Sequence, residues 1–340
     1  MEKQCNECKN PILEVKDLRV KFSVHKKWLP AVDGVNLCIQ PGEIIGVVGE
    51  SGSGKSVMSQ SILRLRDHDT AVQYEGEILF ENEDLLKRPL SKMRELRGND
   101  ISVIFQDPLN SLSPVHTVEK QISEVVLLHK NVTKAEAKAR SIEMLKLTGI
   151  PNPEDCMKKY PFELSGGMQQ RVMIAMALAC EPDILIADEP TTALDVTIQA
   201  QILELMQSLQ EKLGMAIIMV THDLGVIASM CDEIIVMYGG RVCERGTADA
   251  IFYSPAHEYT KGLLRSIPTK TNSKTRLVPI GGTPINMLNM PKGCAFCPRC
   301  DAAMKICLTE KPEEIWVGED HLASCWMNIK NMMEEGKSNE

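Results

Sequence analysis

Short apolar runs recur along the chain, at residues 43–48, 101–105, 184–187 and 216–220. Runs of this length are typical of strands that are buried on both faces of a parallel sheet. Stretches of helical character separate them, and the first of these covers residues 57–65. This alternation of strands and helices predicts an α/β fold built on a mainly parallel sheet.

The pattern of apolar and polar positions changes along the chain. Residues 11–81 alternate β-like runs with turns, whereas residues from about 87 to 180 look mainly helical. Within this second region, Thr133 and Glu136 have the spacing of a capping box, which predicts a helix from residue 133 to 148. Residues 181–245 return to the alternation of strand and helix and are expected to complete the sheet.

The segment Gly49-Glu-Ser-Gly-Ser-Gly-Lys55-Ser56 fits the pattern G-x-x-x-x-G-K-[ST] between a predicted strand and a predicted helix, as a phosphate-binding loop requires. Its glycines let several backbone N–H groups point at one anion, near the positive end of the helix. Lys55 then reaches the outer phosphates, and Ser56 offers a hydroxyl to Mg2+. The flanking strand and helix disfavour a chance glycine-rich turn. The residues predicted to bind ATP here are Gly49, Glu50, Ser51, Gly52, Ser53, Gly54, Lys55, Ser56 and Val57.

Two acids, Asp188 and Glu189, follow the apolar run at residues 184–187. Ligands of open α/β sheets bind at the carboxyl ends of the strands, where these two carboxylates are expected. We expect Asp188 to hold Mg2+, directly or through water, and Glu189 to orient and activate the attacking water. Two solvated acids after a strand are the alternative, which the presence of a phosphate loop disfavours.

These motifs and several others resemble, in the same order, those of the ATP-binding-cassette ATPases over residues 11–255. Gln106 matches the family's Q-loop glutamine, which contacts Mg2+ and the attacking water. His222 matches the switch histidine, which contacts the terminal phosphate. Phe22 resembles the aromatic residue that stacks on adenine, with Trp28 as a rival. The resemblance implies a P-loop NTPase cassette with a mainly parallel sheet, an antiparallel β subdomain and a helical subdomain.

The segment Leu164-Ser-Gly-Gly-Met-Gln-Gln-Arg171 resembles the signature motif of this family, and residues 192–195 resemble its D-loop. The signature precedes a predicted helix at residues 169–179, so its amides form a second anion cradle. In the family, this cradle closes over the ATP of the opposite subunit. Because the chain has one phosphate loop and one signature, it needs a second cassette to complete its sites. The residues expected to contact the partner's ATP are Ser165, Gly166, Gly167, Met168 and Asp195.

Composition narrows the class of protein. The chain has 340 residues, of which 44% are hydrophobic and 25% charged, as in an ordinary soluble protein. A formal net charge of −8 argues against a general nucleic-acid binder. The longest apolar stretch, residues 172–180, is shorter than a membrane span of ~18 residues. The polar residues 1–10 do not resemble a signal peptide, so we expect a cytosolic chain.

Cysteines are concentrated near the C-terminus, in Gly293-Cys-Ala-Phe-Cys-Pro-Arg-Cys300 and beyond it. This pattern, together with Met168 in place of the commoner Gln, resembles the oligopeptide and dipeptide importer ATPases. The resemblance implies a [4Fe–4S] cluster on Cys294, Cys300, Cys307 and Cys325, with Cys297 as an additional thiol. Thiolates suit iron–sulfur or zinc sites, so structural zinc and metal-free thiols remain alternatives. His321 is expected to be structural, and no role is assigned to Cys5 and Cys8.

The motifs and the resemblance together predict the ATP-hydrolysing subunit of an importer for dipeptides, oligopeptides or nickel, whose cargo this chain does not determine. Expected segments are an N-terminal tail (1–10), the cassette (11–260), a small cysteine-rich C-terminal domain (261–330) and a tail (331–340). Within the C-terminal domain, a polar linker at 271–275 precedes a separate segment at about 277–330. The implied partners are two membrane-spanning permease subunits, a second homologous ATPase forming a heterodimer and, indirectly, an extracytoplasmic binding protein. The chain would lie at the cytoplasmic face of the membrane. A soluble cassette ATPase of translation or DNA repair and a redox or metal sensor are the alternatives.

Overall fold

The computed structural model describes residues 10–192, 194–267 and 279–338, which form two compact units. The first unit comprises residues 10–12, 39–43 and 87–220, and the second unit comprises residues 13–38, 44–86 and the described residues from 221 onwards. Cys5, Cys8 and the predicted linker at 271–275 lie outside the described residues. The domain boundaries inferred from the sequence therefore stay predictions.

The elements follow the predicted alternation. The strands are β1 (Leu13–Val24), β2 (Lys27–Ile39), β3 (Ile44–Val48), β4 (Val72–Phe80), β5 (Glu83–Asp84), β6 (Ile101–Ile104), β7 (Ile184–Asp188), β8 (Ala216–Thr221), β9 (Glu233–Tyr238), β10 (Arg241–Thr247), β11 (Ile315–Gly318) and β12 (His321–Ala323). The helices are α1 (Lys55–Ile62), α2 (Leu90–Leu96), α3 (Pro108–Ser111), α4 (Val118–His129), α5 (Lys134–Leu147), α6 (Pro153–Cys156), α7 (Gly166–Ala177), α8 (Val196–Leu213), α9 (Leu224–Met230), α10 (Ala248–Tyr253), α11 (Glu258–Arg265), α12 (Ile306–Thr309) and α13 (Trp326–Ser338). The four apolar runs singled out in the sequence match β3, β6, β7 and β8 to within one residue.

The first unit is a parallel sheet, β8-β7-β6, accompanied by helices α2 to α8. Every residue of β7 and β8 is buried, which explains why these strands are continuously apolar rather than alternating. The capping box predicted for α5 is present: the Thr133 N–H donates to Glu136 Oε2 at 2.7 Å, and the Glu136 N–H donates to Thr133 Oγ1 at 3.3 Å. Helix α7 begins three residues earlier than predicted because Ser165 caps it, its Oγ accepting the Met168 N–H.

The second unit contains two sets of strands. One is the antiparallel sheet β2-β1-β4-β5, which confirms the expected antiparallel β subdomain. In the other set, with the order β11-β12-β10-β9-β3, β3 pairs in parallel with β9 and the remaining neighbours pair antiparallel. The C-terminal strands thus extend the strand set that carries the phosphate loop, with Ala323 of β12 opposite Glu244 of β10.

Candidate nucleotide-binding and catalytic site

The phosphate loop of the second unit connects β3 to α1, as predicted. Gly49 and Gly54 have φ angles of +154° and +102°, which L side chains rarely adopt. A Cβ at Gly49 would lie 2.2 Å from the Met237 carbonyl oxygen, and one at Gly54 would lie 2.6 Å from that of Ala31. Only glycine fits at these two points, so the loop is packed closely against the backbone behind it.

Lys55 and Ser53 give this loop its anion-binding character. The Lys55 side chain is buried, and its Nζ donates to the carbonyl oxygens of Gly49 at 2.7 Å and Glu50 at 3.1 Å. Ser53 is only 4% exposed, and its hydroxyl finds no hydrogen-bond partner among the described residues. A buried, unpaired hydroxyl in a native structure calls for an explanation, and an absent phosphate oxygen supplies one. The loop as folded therefore fits a nucleotide.

The remaining predicted residues of this unit differ in exposure. Ser51 and Gly52 are exposed, Ser56 and Val57 are half-buried, and His222 is exposed directly after β8. The Arg66 guanidinium lies 5.5 Å from the centroid of the Phe22 ring and occupies one face of it. Trp28 is 42% exposed, and the choice between these two aromatics for the adenine stays open.

The acid pair of the first unit lies at the end of β7, where Asp188 is buried. Glu189 has a φ of +49°, in the left-handed region that non-glycine residues seldom occupy. Such strained backbone is found preferentially at functional sites. The Glu189 N–H donates to the Val220 carbonyl at 2.8 Å. This bond fixes the residue after β7 against β8.

Glu189 is also held by two side chains. Gln106 Nε2 donates to Glu189 Oε2 at 2.8 Å, so the predicted Q-loop glutamine and the predicted base are in contact. Thr192 Oγ1 donates to the same oxygen at 2.9 Å. The sequence did not single out Thr192 individually, although it lies in the predicted D-loop. Both donors orient the carboxylate.

The signature segment is held in place by two buried glutamines of α7. Gln169 Nε2 donates to the carbonyl oxygens of Pro161 at 2.9 Å and Leu164 at 3.2 Å, which fixes the entry to the helix. Gln170 Nε2 donates to the Pro190 carbonyl at 2.6 Å and so ties the signature helix to the segment after Glu189. Sequence reasoning missed both roles, because a glutamine in a polar motif gives no sign of burial.

The residues predicted to face a partner lie at two helix starts. Ser165 and Gly166 are exposed, whereas Gly167 and Met168 are half-buried. A Cβ at Gly167 would lie 3.1 Å from Ile198 Cγ2 of α8, so this glycine permits close packing of the two helices. Asp195 caps α8 by accepting the Ile198 N–H at 3.0 Å. Each of these N-termini offers backbone N–H groups toward an external anion.

Thiols of the second unit form a further candidate site. Cys294, Cys300, Cys307 and Cys325 act on one another electrostatically, and burial raises the pKa of Cys294 and of Cys300 to about 11. Their sulfurs accept backbone N–H groups of Phe296, Cys297, Ala302, Met304, Met327 and Asn328. Among the described residues, however, no three His, Cys, Asp or Glu side chains are arranged to hold a metal ion.

The other cysteines and His321 complete this picture. Cys297 is a buried free thiol, and burial raises its pKa. His321 is buried, and its Nε2 lies 2.8 Å from Glu244 Oε1, in agreement with the structural role expected for it. Cys38 is disulfide-bonded, although no motif around it predicts a disulfide.

Comparisons with known proteins match the cassette and the C-terminal region separately. Residues 32–192 match the family model described as ABC transporter, and residues 243–307 match the oligopeptide/dipeptide transporter C-terminal region. The oligopeptide transport ATP-binding protein OppD of Bacillus subtilis is 50% identical over 93% of this chain and 88% of its own length. The dipeptide transport ATP-binding protein DppD of the same organism is 48% identical over 93% and 94%, respectively.

Solved structures of cassettes agree with these matches. A dimeric structure of the ATP-binding cassette MJ0796, in a post-hydrolysis state bound to ADP and phosphate, is similar with a TM-score of 0.62 and 30% identity. It covers 69% of this chain and 98% of the cassette. The cbiO1 subunit of an ABC transporter complex from Clostridium perfringens gives a TM-score of 0.61 at 32% identity, covering 72% and 92%.

The fold, the phosphate loop and the ordered motifs define an ATPase of the ATP-binding-cassette class. Identity of about half over nearly the whole length narrows the class further. The chain belongs to the family of ATP-binding proteins of oligopeptide and dipeptide transporters. In the part of the chain that the structure describes, no helix is both long and apolar enough to cross a membrane.

Proposed function

We propose that this chain energises the import of peptides through a membrane permease by binding and hydrolysing ATP. The observation that carries the proposal is the pairing of a complete set of cassette motifs with a C-terminal region matched at residues 243–307. The relatives that share both parts are named for oligopeptide and dipeptide transport. Nickel, the other cargo implied by the resemblance, is an outcome that an uptake assay distinguishes.

The residues have separate tasks in this proposal. The loop amides, Lys55 and the Ser53 hydroxyl bind the phosphates of ATP. Ser56, Gln106 and Asp188 would hold Mg2+, which when bound neutralises charge on the phosphates. Glu189 accepts a proton from the attacking water as it approaches the terminal phosphorus in line with the leaving oxygen. The hydrogen bonds from Gln106 and Thr192 support this role because they fix the carboxylate that must orient the water.

His222 and the partner-facing residues complete the reaction in this proposal. The exposed imidazole of His222 contacts the terminal phosphate, and an aromatic residue, Phe22 or Trp28, stacks on adenine. A second cassette, forming a heterodimer with this chain, receives the helix N-termini at Ser165 and Asp195 against its own bound nucleotide. The exposure of Ser165 and Gly166 supports this arrangement, because buried amides could not reach a ligand outside the chain.

The proposed permease contact lies on the first unit. Several large apolar side chains of its helical part are exposed, among them Phe105 at 40%, Val115 at 73%, Leu128 at 72% and Phe162 at 69%. Phe105 directly precedes Gln106, so a permease segment docked here would adjoin the residue that holds Glu189. Contiguous exposed apolar patches mark interaction surfaces, and we propose that these side chains contribute to one. The chain would then lie at the cytoplasmic face of the membrane, with two permease subunits and an extracytoplasmic binding protein as the other components.

We further propose a [4Fe–4S] cluster on Cys294, Cys300, Cys307 and Cys325, with zinc as the alternative metal. Four thiols are the ligand set that such a cluster takes, and their sulfurs accept backbone N–H groups, as the sulfurs of cluster ligands do. Binding would require the side chains to rearrange around the metal, because no three of the described ones are arranged to hold an ion. When bound, the cluster staples the segment and supplies a redox centre. Chain purified without oxygen should be brown and contain iron and sulfide; a colourless preparation with stoichiometric zinc would decide for zinc.

Uptake and co-purification test the proposed function. Membranes should retain the tagged chain together with apolar permease subunits, and proteoliposomes holding that complex should accumulate labelled peptides only with ATP. The Glu189→Gln variant should bring down the same permease subunits yet support no accumulation. A chain that purifies with ribosomes or DNA-repair proteins and leaves uptake unchanged when deleted would favour the soluble alternative.

A further inference from the structure

An ion pair joins the phosphate loop to the cysteine-rich segment, which is the stretch from Cys294 to Cys325. Arg299, inside the run Cys297-Pro-Arg-Cys300, donates from Nη1 to Glu50 Oε2 at 2.5 Å and from Nη2 to Glu50 Oε1 at 3.0 Å. The Arg299 side chain is 4% exposed. Bidentate pairs of this geometry are among the strongest side-chain hydrogen bonds and fix direction as well as distance. Glu50 is the second residue of the phosphate loop, and its side-chain partner Arg299 lies 249 positions away in the chain.

Arg299 is itself fixed from several sides. Its Nε donates to the Gly281 carbonyl at 2.8 Å, and its Nη2 donates to that of Ile280 at 3.3 Å. Its guanidinium lies 5.8 Å from the ring centroids of both Tyr238 and Phe296. Because the guanidinium is held in this way, its position is set by these contacts and not by Glu50. A movement of the cysteine-rich segment therefore changes the geometry of the ion pair directly.

Glu50 passes this constraint to the catalytic lysine. Its N–H donates to the Tyr259 hydroxyl at 2.7 Å, and its carbonyl accepts from Lys55 Nζ at 3.1 Å. Tyr259 packs against Phe296, with ring centroids 5.3 Å apart. Arg299 and Phe296, both within the cysteine-rich segment, thus fix the side chain and the amide of the residue whose carbonyl contacts Lys55.

A second contact supports the loop from the same segment. The turn between β9 and β10 donates from the Gly240 N–H to the Ser53 carbonyl at 2.9 Å. A Cβ at the neighbouring Gly239 would lie 3.1 Å from the Ala295 Cβ. Residues 295–299 therefore lie behind the phosphate loop both through Glu50 and through this turn.

We propose that Arg299 is a positioning residue for the phosphate loop and that, through Glu50, the chemical state of the cysteine-rich segment and the binding of ATP affect each other. This rests on the proposed function only in requiring that the chain binds ATP. A covalent change at a flanking thiol, such as the addition of N-ethylmaleimide to Cys300, would shift residues 297–300 and with them Glu50 and Lys55. The coupling acts in both directions, so bound nucleotide in turn changes the conformations that the segment populates and with them the accessibility of its thiols.

Nucleotide affinity gives the first test. In the full-length chain with Mg2+, Arg299→Gln should raise the dissociation constant of a fluorescent ATP analogue by about 5- to 30-fold, the range of an ordinary coupling energy. Arg265→Gln is the matched control, because Arg265 is 59% exposed and pairs with Glu258 at 3.7 Å; its affinity should stay within about twofold, as expected for a surface pair. Arg299→Lys, which keeps the charge but not the fork, should fall between the two.

Two further measurements separate positioning from a general structural role. Glu50→Gln and Arg299→Gln should be non-additive, with the double variant no weaker than the worse single one, because both break the same contact. The nonhydrolysable analogue AMP-PNP should also change the rate at which N-ethylmaleimide modifies Cys300, read by mass spectrometry, by about fivefold or more. That response should persist in Arg265→Gln and vanish in Arg299→Gln.

The proposal is overturned if Arg299→Gln binds nucleotide like the Arg265→Gln control or keeps the labelling response of Cys300. If Arg299→Gln does not fold, as judged by circular dichroism, Arg299→Lys carries the same comparison. A failure of peptide uptake would leave these measurements standing, since they use the chain and nucleotide alone.

Discussion

The phosphate loop and the acid pair that follows β7 are supported in opposite ways. The loop residue Glu50 is held by Tyr259 and Arg299, which lie 209 and 249 positions away in the chain. Glu189 is held by Thr192, three positions away, and by Gln106, 83 positions away. The signature helix meets the segment after Glu189 through Gln170 and Pro190. The acid pair therefore takes its support from other cassette motifs of the first unit, whereas the loop takes support from the C-terminal region.

This difference has a functional consequence. A carboxylate that activates water must keep one geometry, and hydrogen bonds from the other cassette motifs of its unit provide that. A phosphate loop supported by a distant segment can instead respond to the state of that segment. Variants in each region distinguish these two behaviours.

The largest effect is expected for Glu189→Gln. Removing the proposed base should lower kcat for ATP by about 10²- to 10⁴-fold, while the dissociation constant for MgATP changes little because Glu189 acts on water. The side-chain oxygen of the new glutamine still accepts the hydrogen bond from Gln106, so the segment around residue 189 should keep its conformation. Single-turnover ATPase assays on the reconstituted complex, alongside equilibrium binding, check this.

The control for that measurement is Glu211→Gln, which alters an exposed acid of α8 on the same unit. It should leave kcat within about twofold, as surface substitutions usually do. Undiminished turnover in Glu189→Gln would assign the proton transfer to another group.

The C-terminal region supports the second unit through Glu244, and Glu244→Gln should lower its stability most. This carboxylate is fully buried and accepts bonds from His321 Nε2 at 2.8 Å and from the N–H groups of Ala256 at 2.6 Å and His257 at 2.8 Å. An amide in its place turns an N–H group toward these donors. We expect the free energy of unfolding to fall by about 3–5 kcal/mol, measured by urea denaturation.

The same residue predicts a pH dependence. Burial favours the neutral carboxyl, but the bonds from His321, Ala256 and His257 outweigh burial and lower the pKa of Glu244 from its ordinary value. Its contribution to stability is therefore complete above the unfolded-state pKa of about 4.3 and is lost as the pH falls through the lower, folded-state pKa. Glu244→Gln should flatten this acid limb of the urea midpoint against pH; an unchanged limb would contradict the assignment.

How much the sequence revealed depends on the same contrast between short and long range. The strand runs, the phosphate loop and the capping box at Thr133 are local patterns, and the structure confirms them. The contact between Gln106 and Glu189 follows from the family order of motifs. The pair of Arg299 and Glu50 has no local signature, because nothing in residues 297–300 indicates which distant carboxylate the arginine meets.

Burial of polar residues was equally hidden from the sequence. Gln170 is 1% exposed although its motif reads as polar, and only the apolar run that begins two residues later hints at it. The Arg66 contact on Phe22 likewise depends on the pairing of β1 with β4, in which Phe22 lies opposite Val72. Such facts depend on tertiary packing, which residue spacing does not encode.

A smaller effect is expected for Gln170→Ala. The variant leaves the Pro190 carbonyl without its 2.6 Å donor inside the protein. The loss of a buried partner costs about 1–3 kcal/mol of stability, and the loosened segment after Glu189 should also lower kcat. Gln199→Ala is the matched control, because Gln199 makes a similar bond to the Thr191 carbonyl at 3.1 Å from a half-buried position. Urea denaturation and ATPase assays of both variants check this. Equal losses of stability and kcat in the two variants would argue against a special role for Gln170.

The smallest effect is expected for Thr192→Val. This variant tests the comparison of the two regions most directly. Valine keeps the shape of threonine but removes the hydroxyl that donates to Glu189 Oε2 at 2.9 Å. Losing one orienting bond of about 1 kcal/mol should lower kcat about fivefold and leave nucleotide affinity unchanged, whereas Arg299→Gln should change affinity first. Thr192→Ser restores the hydroxyl and should restore kcat. If Thr192→Val instead weakened ATP binding, as is expected of Arg299→Gln, the acid pair and the phosphate loop would share one support. The proposed difference between the two regions would then be wrong.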